Sequence, residues 1–331
     1  MIISKTPFRI SFFGGGTDYP VWYRENGGAV LATTIDKYCY ITCRYLPPFF
    51  DHKYRIVYSK VENVKHVAEI EHPVVRATIG FMNIKKGLEI HHDGDLPART
   101  GLGSSSSFTV GLLHSFYALK GIMPTKMRLA TEAIKIERDI LKENIGSQDQ
   151  VLAAFGGFNK ISFNGHDDIN LQPIIMGRKR LVELQDHLLL VFTGFSRFAS
   201  EIAKKQIENT PKKKKELSRM GQMVDEAINI LVEGKDILEF GELLHESWKL
   251  KRSLTDQVST PQIDMIYEAA RKAGAIGGKV LGAGGGGFMI FFVRPEDRPK
   301  VEKELKDFLK VPFQFENSGT EIIFNRPYTL K

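Results

Sequence analysis

The sequence predicts an α+β fold in two domains, and three observations carry that expectation. An apolar strand pattern over residues 2–13 breaks at Gly14-Gly15-Gly16, and a Gly/Ser stretch at 101–107 runs straight into an apolar helical segment. A glycine run at 282–287 then feeds a second apolar strand pattern at 288–293. The length of 331 residues exceeds that of one typical domain. Strands and helices mix in the first half, and helices dominate the second. The boundary is therefore expected around Gly177-Arg178-Lys179-Arg180, giving units 1–180 and 181–331.

The elements follow in order. After the strand at 2–13, residues 28–46 are rich in the β-formers Val30, Thr33, Thr34, Ile35, Tyr38, Tyr40, Ile41 and Thr42. Residues 54–61 and 87–93 read as further strands. In 108–119, Phe108, Leu112, Ser115, Phe116 and Leu119 share one helical face, while Val110, Leu113 and Tyr117 fall on others. A helix apolar on most sides is a buried helix. Residues 125–143 read as another helix, with the stripe Ala130, Ala133, Ile134, Ile140 and Leu141; Glu137 sits on that stripe, an unusual place for a carboxylate. A buried strand is expected at 188–193 and amphipathic helices at 212–233 and 237–252. Thr260 and Pro261 mark the start of a helix at 261–273. A helix at 298–309 and a strand at 320–324 close the chain.

Composition excludes several classes. With 42% hydrophobic and 26% charged residues the chain is globular. No run approaches the roughly 18–20 apolar residues of a membrane span. The apolar part of the N-terminal segment is too short for a secretory signal, so the expectation is a cytoplasmic protein with no membrane partner. The two cysteines, Cys39 and Cys43, can neither staple so long a chain nor build a four-ligand zinc site, and read as buried thiols. The net charge of +7 favours an anionic partner: nucleic acid, a phosphorylated metabolite or a nucleotide. Lys212 to Lys215 lack the interleaved aromatics of a nucleic-acid surface and read as a solvated helix start. His91 and His92, adjacent on a strand, point to opposite faces and read as surface histidines.

Chemistry concentrates in three segments. In Leu96-Pro97-Ala98-Arg99-Thr100-Gly101-Leu102-Gly103-Ser104-Ser105-Ser106-Ser107, the glycines allow close backbone approach, and the helix that follows offers unpaired N–H groups. Together these make an anion cradle. A Walker A loop is excluded, because Gly278-Lys279 is followed by Val280 and position 273 is alanine. The string Gly282 to Gly287 fits G-x-G-x-x-G but opens a strand rather than a helix, which argues against a Rossmann site. The second segment, Thr6 to Tyr19, sets Arg9 in an apolar strand, where it must meet an anion. Asp18 follows the glycine turn, where it could accept from sugar hydroxyls or pair internally with Arg9. The third is Gly146-Ser147-Gln148-Asp149-Gln150, a polar loop just past the helix bearing Glu137. Two carboxylates near a phosphate cradle suit Mg²⁺ ligation and contact with a substrate hydroxyl. The alternatives are a Glu137 paired to a core cation and an Asp149 that caps a turn.

These three segments, in this order, resemble the three motifs of the GHMP small-molecule kinases: residues 6–19, 97–107 and 280–288. Within that superfamily the chain is most similar to the sugar-kinase branch containing D-glycero-D-manno-heptose 7-phosphate kinase. The shared residues are Thr6 to Ser11 with Gly14 to Asp18, Ser147 to Gln150 with Ala154 to Phe158, Thr193 to Ala199, and Gly277-Gly278-Lys279. The resemblance implies a ribosomal-S5-domain-2-like N-terminal domain and a ferredoxin-like C-terminal domain, with the active site in the cleft between them. It also implies an ATP- and Mg²⁺-dependent kinase, monomeric or homodimeric, acting on a small-molecule sugar or sugar phosphate and not on nucleic acid.

By the same resemblance Asp149 faces the acceptor hydroxyl with Arg9 beside it, and Glu137 and Ser105 hold Mg²⁺. Pro97, Gly101, Leu102, Gly103, Ser104, Ser105 and Ser106 belong to the ATP phosphate loop. Gly16, Thr17, Asp18, Gly285 and Gly286 lie on the acceptor side, and Tyr58 and Ser59 border the adenine pocket. Galactokinases carry Glu-His where this chain has Gly15-Gly16, which leaves room for a bulkier sugar. The expected reaction is phosphorylation of the anomeric hydroxyl of a heptose 7-phosphate. Arg197 with Ser196 leads the candidate anchors for the second phosphate, ahead of Lys249, Lys251 and Arg252. The alternatives are fucose, N-acetylhexosamine or galactose as acceptor, or a catalytically silent sugar- or nucleotide-binding regulator.

Overall fold

The computed structural model describes residues 1–165, 168–195 and 199–326. The first half contains β1 (Ile2–Phe13), α1 (Pro20–Asn26), β2 (Gly28–Tyr45), β3 (Tyr54–Val57), β4 (Val61–Val64), α2 (Pro73–Phe81), β5 (Leu88–Gly94) and α3 (Ser104–Leu119). It continues through α4 (Lys126–Ile134), α5 (Gln148–Phe155), β6 (Phe158–Phe163) and β7 (Ile169–Pro173). The second half contains α6 (Arg178–His187), β8 (Leu188–Phe192), α7 (Ala199–Asn209), α8 (Lys214–Val232), α9 (Leu238–Ser253) and α10 (Pro261–Lys272). It ends with β9 (Ala275–Val280), β10 (Phe288–Val293), α11 (Arg298–Glu304), β11 (Leu309–Lys310), β12 (Phe315–Glu316) and β13 (Glu321–Asn325). The α+β class stands.

Among the described residues the strands form two sheets. The larger has nine strands along the path β13-β1-β2-β5-β3-β4, with β6 and β12 also on β2 and β7 on β6. The long β2 serves several partners by turns: residues 28–33 pair β6, 34–35 pair β12, and 39–45 pair β5. The smaller sheet runs β11-β8-β10-β9. Strands β1 to β7 lie in the first sheet and β8 to β11 in the second, and β12 and β13 return to the first at the end of the chain.

Four elements differ from the sequence reading. Residues 54–61 are not one strand but the first part of a hairpin, β3 and β4. The helix expected over 125–143 is α4 followed by a π-helical turn over Lys135–Ile140. The wider turn re-aims side chains, and Glu137 lies within it, buried. Asp149 is in the first turn of α5 rather than in a loop, because Val151, Leu152, Ala153 and Ala154 behind it are all buried and draw the segment into a helix. The helix expected over 298–309 ends at Glu304, and β11 then adds to the edge of β8.

The two sheets share one apolar core, from Phe8 and Ile10 of β1 to Ile290 and Phe292 of β10. Phe240 of α9 is its hinge. Its ring packs edge-on against Phe12 at 5.5 Å and Phe13 at 5.0 Å, and lies 6.0 Å from Phe292. Lys279 of β9 adds a polar clamp, donating to the carbonyls of Ser11 at 3.0 Å and Phe12 at 2.7 Å. Trp248 is fully buried, and Cys39 and Cys43 are buried free thiols pushed up by burial. Among the described residues no helix is long and apolar enough to cross a membrane. Phe240→Ala removes the ring that touches both sheets. It is expected to cost about 3–5 kcal/mol, read as a fall in the urea unfolding midpoint with the denaturant slope retained.

Candidate active site

The site is built where β1, the 97–103 loop and α5 meet. Gly103 caps α3 in a left-handed conformation, with φ of 77°. The first bond into the helix is Ser107 N–H to the Gly103 carbonyl, so the backbone N–H groups of Ser104 to Ser106 precede it at the positive end of the helix dipole. Thr100 Oγ1 donates to the Pro97 carbonyl at 2.7 Å, and Ser104 Oγ accepts from Arg99 N–H at 3.2 Å, which folds the loop back on itself. Gly101 has a φ of +85°, and a Cβ there would lie 2.4 Å from the Leu281 carbonyl oxygen. Only glycine allows the second glycine-rich turn to press so closely on the first.

Arg9 projects from β1 into this loop. Its Nε donates to Asp149 Oδ1 at 2.7 Å and its Nη2 to Oδ2 at 2.6 Å, while Nη1 donates to the Gly101 carbonyl at 2.5 Å. The guanidinium therefore pairs with Asp149 and not with Asp18. Glu137, 2% exposed, receives Ser106 Oγ at 2.9 Å, Thr109 Oγ1 at 2.5 Å and Gln150 Nε2 at 2.5 Å. Among the described residues it has no cationic partner. Burial raises its carboxyl above the ordinary range, opposed by these hydrogen bonds. Asp18 is likewise buried and raised by burial; its Oδ1 accepts from Gly16 N–H at 2.9 Å and its Oδ2 from Gln148 Nε2 at 2.9 Å.

Several expected residues are placed differently. Ser106, not Ser105, reaches Glu137, since adjacent helical residues point about 100° apart; Ser105 is exposed. The Thr17 hydroxyl is absorbed by backbone, 2.8 Å from the Gly14 carbonyl and 2.9 Å from that of Ala29. Gly285 gives its N–H to the Val258 carbonyl, and Gly286 packs beneath Phe195, so both are buried. Of the basic cluster on α9, Lys249 is exposed and Arg252 pairs with Asp264 at 3.1 Å. Lys251 turns inward, 4% exposed, and donates to the Gly282 carbonyl. Burial, then the nearby Arg9, lowers its ammonium to about 8. Arg197 and Ser196 lie outside the described residues.

The sequence reading had no role for Lys279, Thr109, Gln148 or Gln150. Both glutamines stand in the quoted Ser147-Gln148-Asp149-Gln150 string. Their alternation around Asp149 was the available signal. Beyond the loop, Tyr58 meets His72 edge-on at 4.9 Å, and His72 stacks on Phe108 at 4.8 Å. His92 meets Phe108 edge-on at 5.0 Å, so it is a packing residue, and burial lowers its imidazole. Among the described residues no His/Cys/Asp/Glu cluster could hold a metal by itself.

Comparison with known proteins decides the family. Residues 58–157 match the GHMP kinases N terminal domain, and residues 225–311 match the GHMP kinases C terminal domain. The chain is 30% identical to the D-glycero-alpha-D-manno-heptose 7-phosphate kinase of Campylobacter jejuni, over 92% of this chain and 93% of that one. The chain belongs to the GHMP kinases. It is thus a sugar kinase of the phosphotransferase class that takes an alcohol acceptor, and ATP is the family's phosphate donor.

Other GHMP kinases share the architecture. A D-glycero-D-manno-heptose 1-phosphate kinase from Bacteroides thetaiotaomicron superposes with a TM-score of 0.81 at 26% identity, covering 99% of this chain and 100% of that one. A Lactococcus lactis galactokinase superposes at 0.74 with 20% identity, covering 97% and 94%, a likeness of fold alone.

Two outcomes follow for this GHMP kinase. Gly101→Ala is expected to raise KM for ATP at least tenfold, since its Cβ collides with Leu281, whereas Gly80→Ala, on α2 with nothing within 4 Å, leaves it within twofold; initial rates against ATP check both. The Lys251 ammonium is charged below a pH of about 8 and neutral above it. Were it to anchor an anionic substrate, as the sequence expects, that attraction would be full at low pH and lost as pH rises through that value. kcat/KM is expected to fall across that step, and Lys251→Met is expected to give a low profile without it.

Proposed function

We propose that this kinase transfers the γ-phosphoryl group of ATP to the anomeric hydroxyl of D-glycero-D-manno-heptose 7-phosphate, giving the 1,7-bisphosphate. The observation that carries the reading is the bidentate Arg9–Asp149 pair at the mouth of the Gly101–Ser106 loop. The heptose is favoured by the similarity to the Campylobacter enzyme along nearly the whole of both chains. It is also favoured by Gly15, where a side chain would meet little besides Ser11 Oγ, 3.9 Å from the Cβ position. A catalytically silent regulator would have no need for Arg9, Asp149 and Glu137 in this arrangement.

In this reading the N–H groups at the start of α3 hold phosphate oxygens, and the aromatic cluster of Tyr58, His72 and Phe108 borders the base. The Glu137 carboxylate and the serine hydroxyls are hard oxygen donors, and Glu137 is buried with neutral donors alone, so this set fits Mg²⁺. Glu137 would hold the ion with Ser106 beside it and Ser105 on the open side. When bound, Mg²⁺ would supply neutralisation of the charge on the transferring phosphates. Asp149 orients the anomeric hydroxyl and takes its proton late, because phosphoryl transfer is loose in most analyses and early deprotonation contributes little. Arg9 holds both Asp149 oxygens in position and lends positive charge to the moving phosphoryl group. Asp18 accepts from hydroxyls elsewhere on the sugar.

A panel of sugars and 7-phosphosugars with ATP, read by phosphorus NMR, is expected to give an anomeric phosphate only with the heptose 7-phosphate at high efficiency; equal turnover of galactose or fucose would refute the assignment. Asp149→Asn is expected to lower kcat by at least a hundredfold while the Kd for ATP, measured by calorimetry, stays within threefold. Glu137→Gln is expected to raise the Mg²⁺ concentration needed for half-maximal rate, and an unchanged titration would remove Glu137 from the ligand set.

A further inference from the structure

We propose that Ser11 and Gln148 are specificity-determining contacts for the acceptor. Gln148 reads one sugar hydroxyl through its amide oxygen, and Ser11 reads a second through its side-chain hydroxyl. The inference rests on the sugar-kinase reading and goes beyond it by naming which groups discriminate between acceptors.

The two residues share an unusual condition. Buried polar atoms are almost always hydrogen-bonded, yet Ser11 Oγ and Gln148 Oε1 are buried and have no partner. Ser11 is 6% exposed and Gln148 9%. The orientation of the Gln148 amide is dictated by its neighbour. Asp18 Oδ2, 2.9 Å away, is also beside a backbone N–H on its other oxygen, so it takes the NH₂ end. The carbonyl end is left over, bonded to the same carbon and therefore next to Asp18. Gln148 immediately precedes Asp149, so this free acceptor is fixed relative to the carboxylate paired with Arg9.

Ser11 approaches the same region from β1. Residues two apart on a strand share a face, and Arg9 and Ser11 stand opposite Thr34 and Ala32 in one register. The Ser11 carbonyl is held by Lys279, so its backbone is fixed while its hydroxyl is uncommitted. Above that hydroxyl the chain carries no side chain: a Cβ on Gly15 would find only Ser11 Oγ within 4 Å. A ligand that enters where the side chain of residue 15 would otherwise be meets the hydroxyl directly. Ser11 can donate and accept, and Gln148 Oε1 can only accept. The pair therefore suits two hydroxyls of a polyol, one of which must donate to Gln148.

The test compares the full-length wild type with Ser11→Ala, Gln148→Leu and Gly15→Val. Each is assayed with D-glycero-D-manno-heptose 7-phosphate and with its monodeoxy analogues. A site built to bond a hydroxyl rejects the analogue that lacks it. The wild type should therefore disfavour two of the analogues by roughly tenfold or more in kcat/KM. Gln148→Leu should lose discrimination against one of them and Ser11→Ala against the other, each ratio falling to about 1. Gly15→Val should raise KM for the sugar and leave KM for ATP unchanged. The ratio of analogue to parent is internal to each variant, so partial unfolding cannot imitate the result; Asp18→Asn, assayed alongside, identifies the analogue that reports on Asp18, and Gln148→Leu must act on a different one. Ser11→Ala removes no existing bond, which keeps one variant free of folding loss. Variants that keep wild-type ratios for every analogue overturn this proposal and leave the kinase reading intact. A wild type that phosphorylates no heptose, hexose or deoxyhexose overturns both.

Discussion

The ion pair between Arg9 and Asp149 organises everything around it. An arginine in the middle of an apolar strand is 4% exposed, and it is stable there only because all three of its donor nitrogens are met: two by one carboxylate and one by the Gly101 carbonyl. That single side chain therefore ties β1 to the first turn of α5 and to the loop that opens α3. Removing Asp149 would leave the buried Arg9 charge uncompensated, the costly case for such pairs.

The same logic extends outward in rings. Asp18 and Glu137 are buried carboxylates held by neutral donors, and Gln148 and Gln150 on either side of Asp149 supply one donor to each. Lys251 and Lys279 are buried and donate their amino groups to backbone carbonyls, at Gly282 and at Ser11 and Phe12, and burial lowers both. Charges held by neutral dipoles are destabilising for the isolated chain, and they are what a preorganised site for anions and hydroxyls requires. The Phe240 ring, packed on Phe12 and Phe13 of one sheet and near Phe292 of the other, adds apolar contact between the two sheets.

Much of this was legible in the residues. Arg9 in an apolar strand, Glu137 on an apolar helical stripe and the glycine-serine loop each announced a buried function, and all three converge. What escaped was set by tertiary context. No local pattern marks the π-turn that aims Glu137 inward, and α5 looks polar at its start because its first residues serve the site rather than the core. Thr17, Gly285 and Gly286 read as ligand contacts because their motifs are glycine-rich, yet packing against Gly14, Val258 and Phe195 absorbs them. Only a three-dimensional neighbour could reveal that Lys251 faces inward while Lys249, two residues away, faces out.

The most direct test is a crystal structure of the protein with a non-hydrolysable ATP analogue and Mg²⁺. The Arg9–Asp149 geometry predicts the terminal phosphoryl group within hydrogen-bonding reach of Arg9, with the Asp149 carboxylate opposite the bond to be broken and the other phosphates on the N–H groups of Ser104 to Ser106. A nucleotide whose triphosphate lies away from Arg9, with the 101–106 loop untouched, would contradict it.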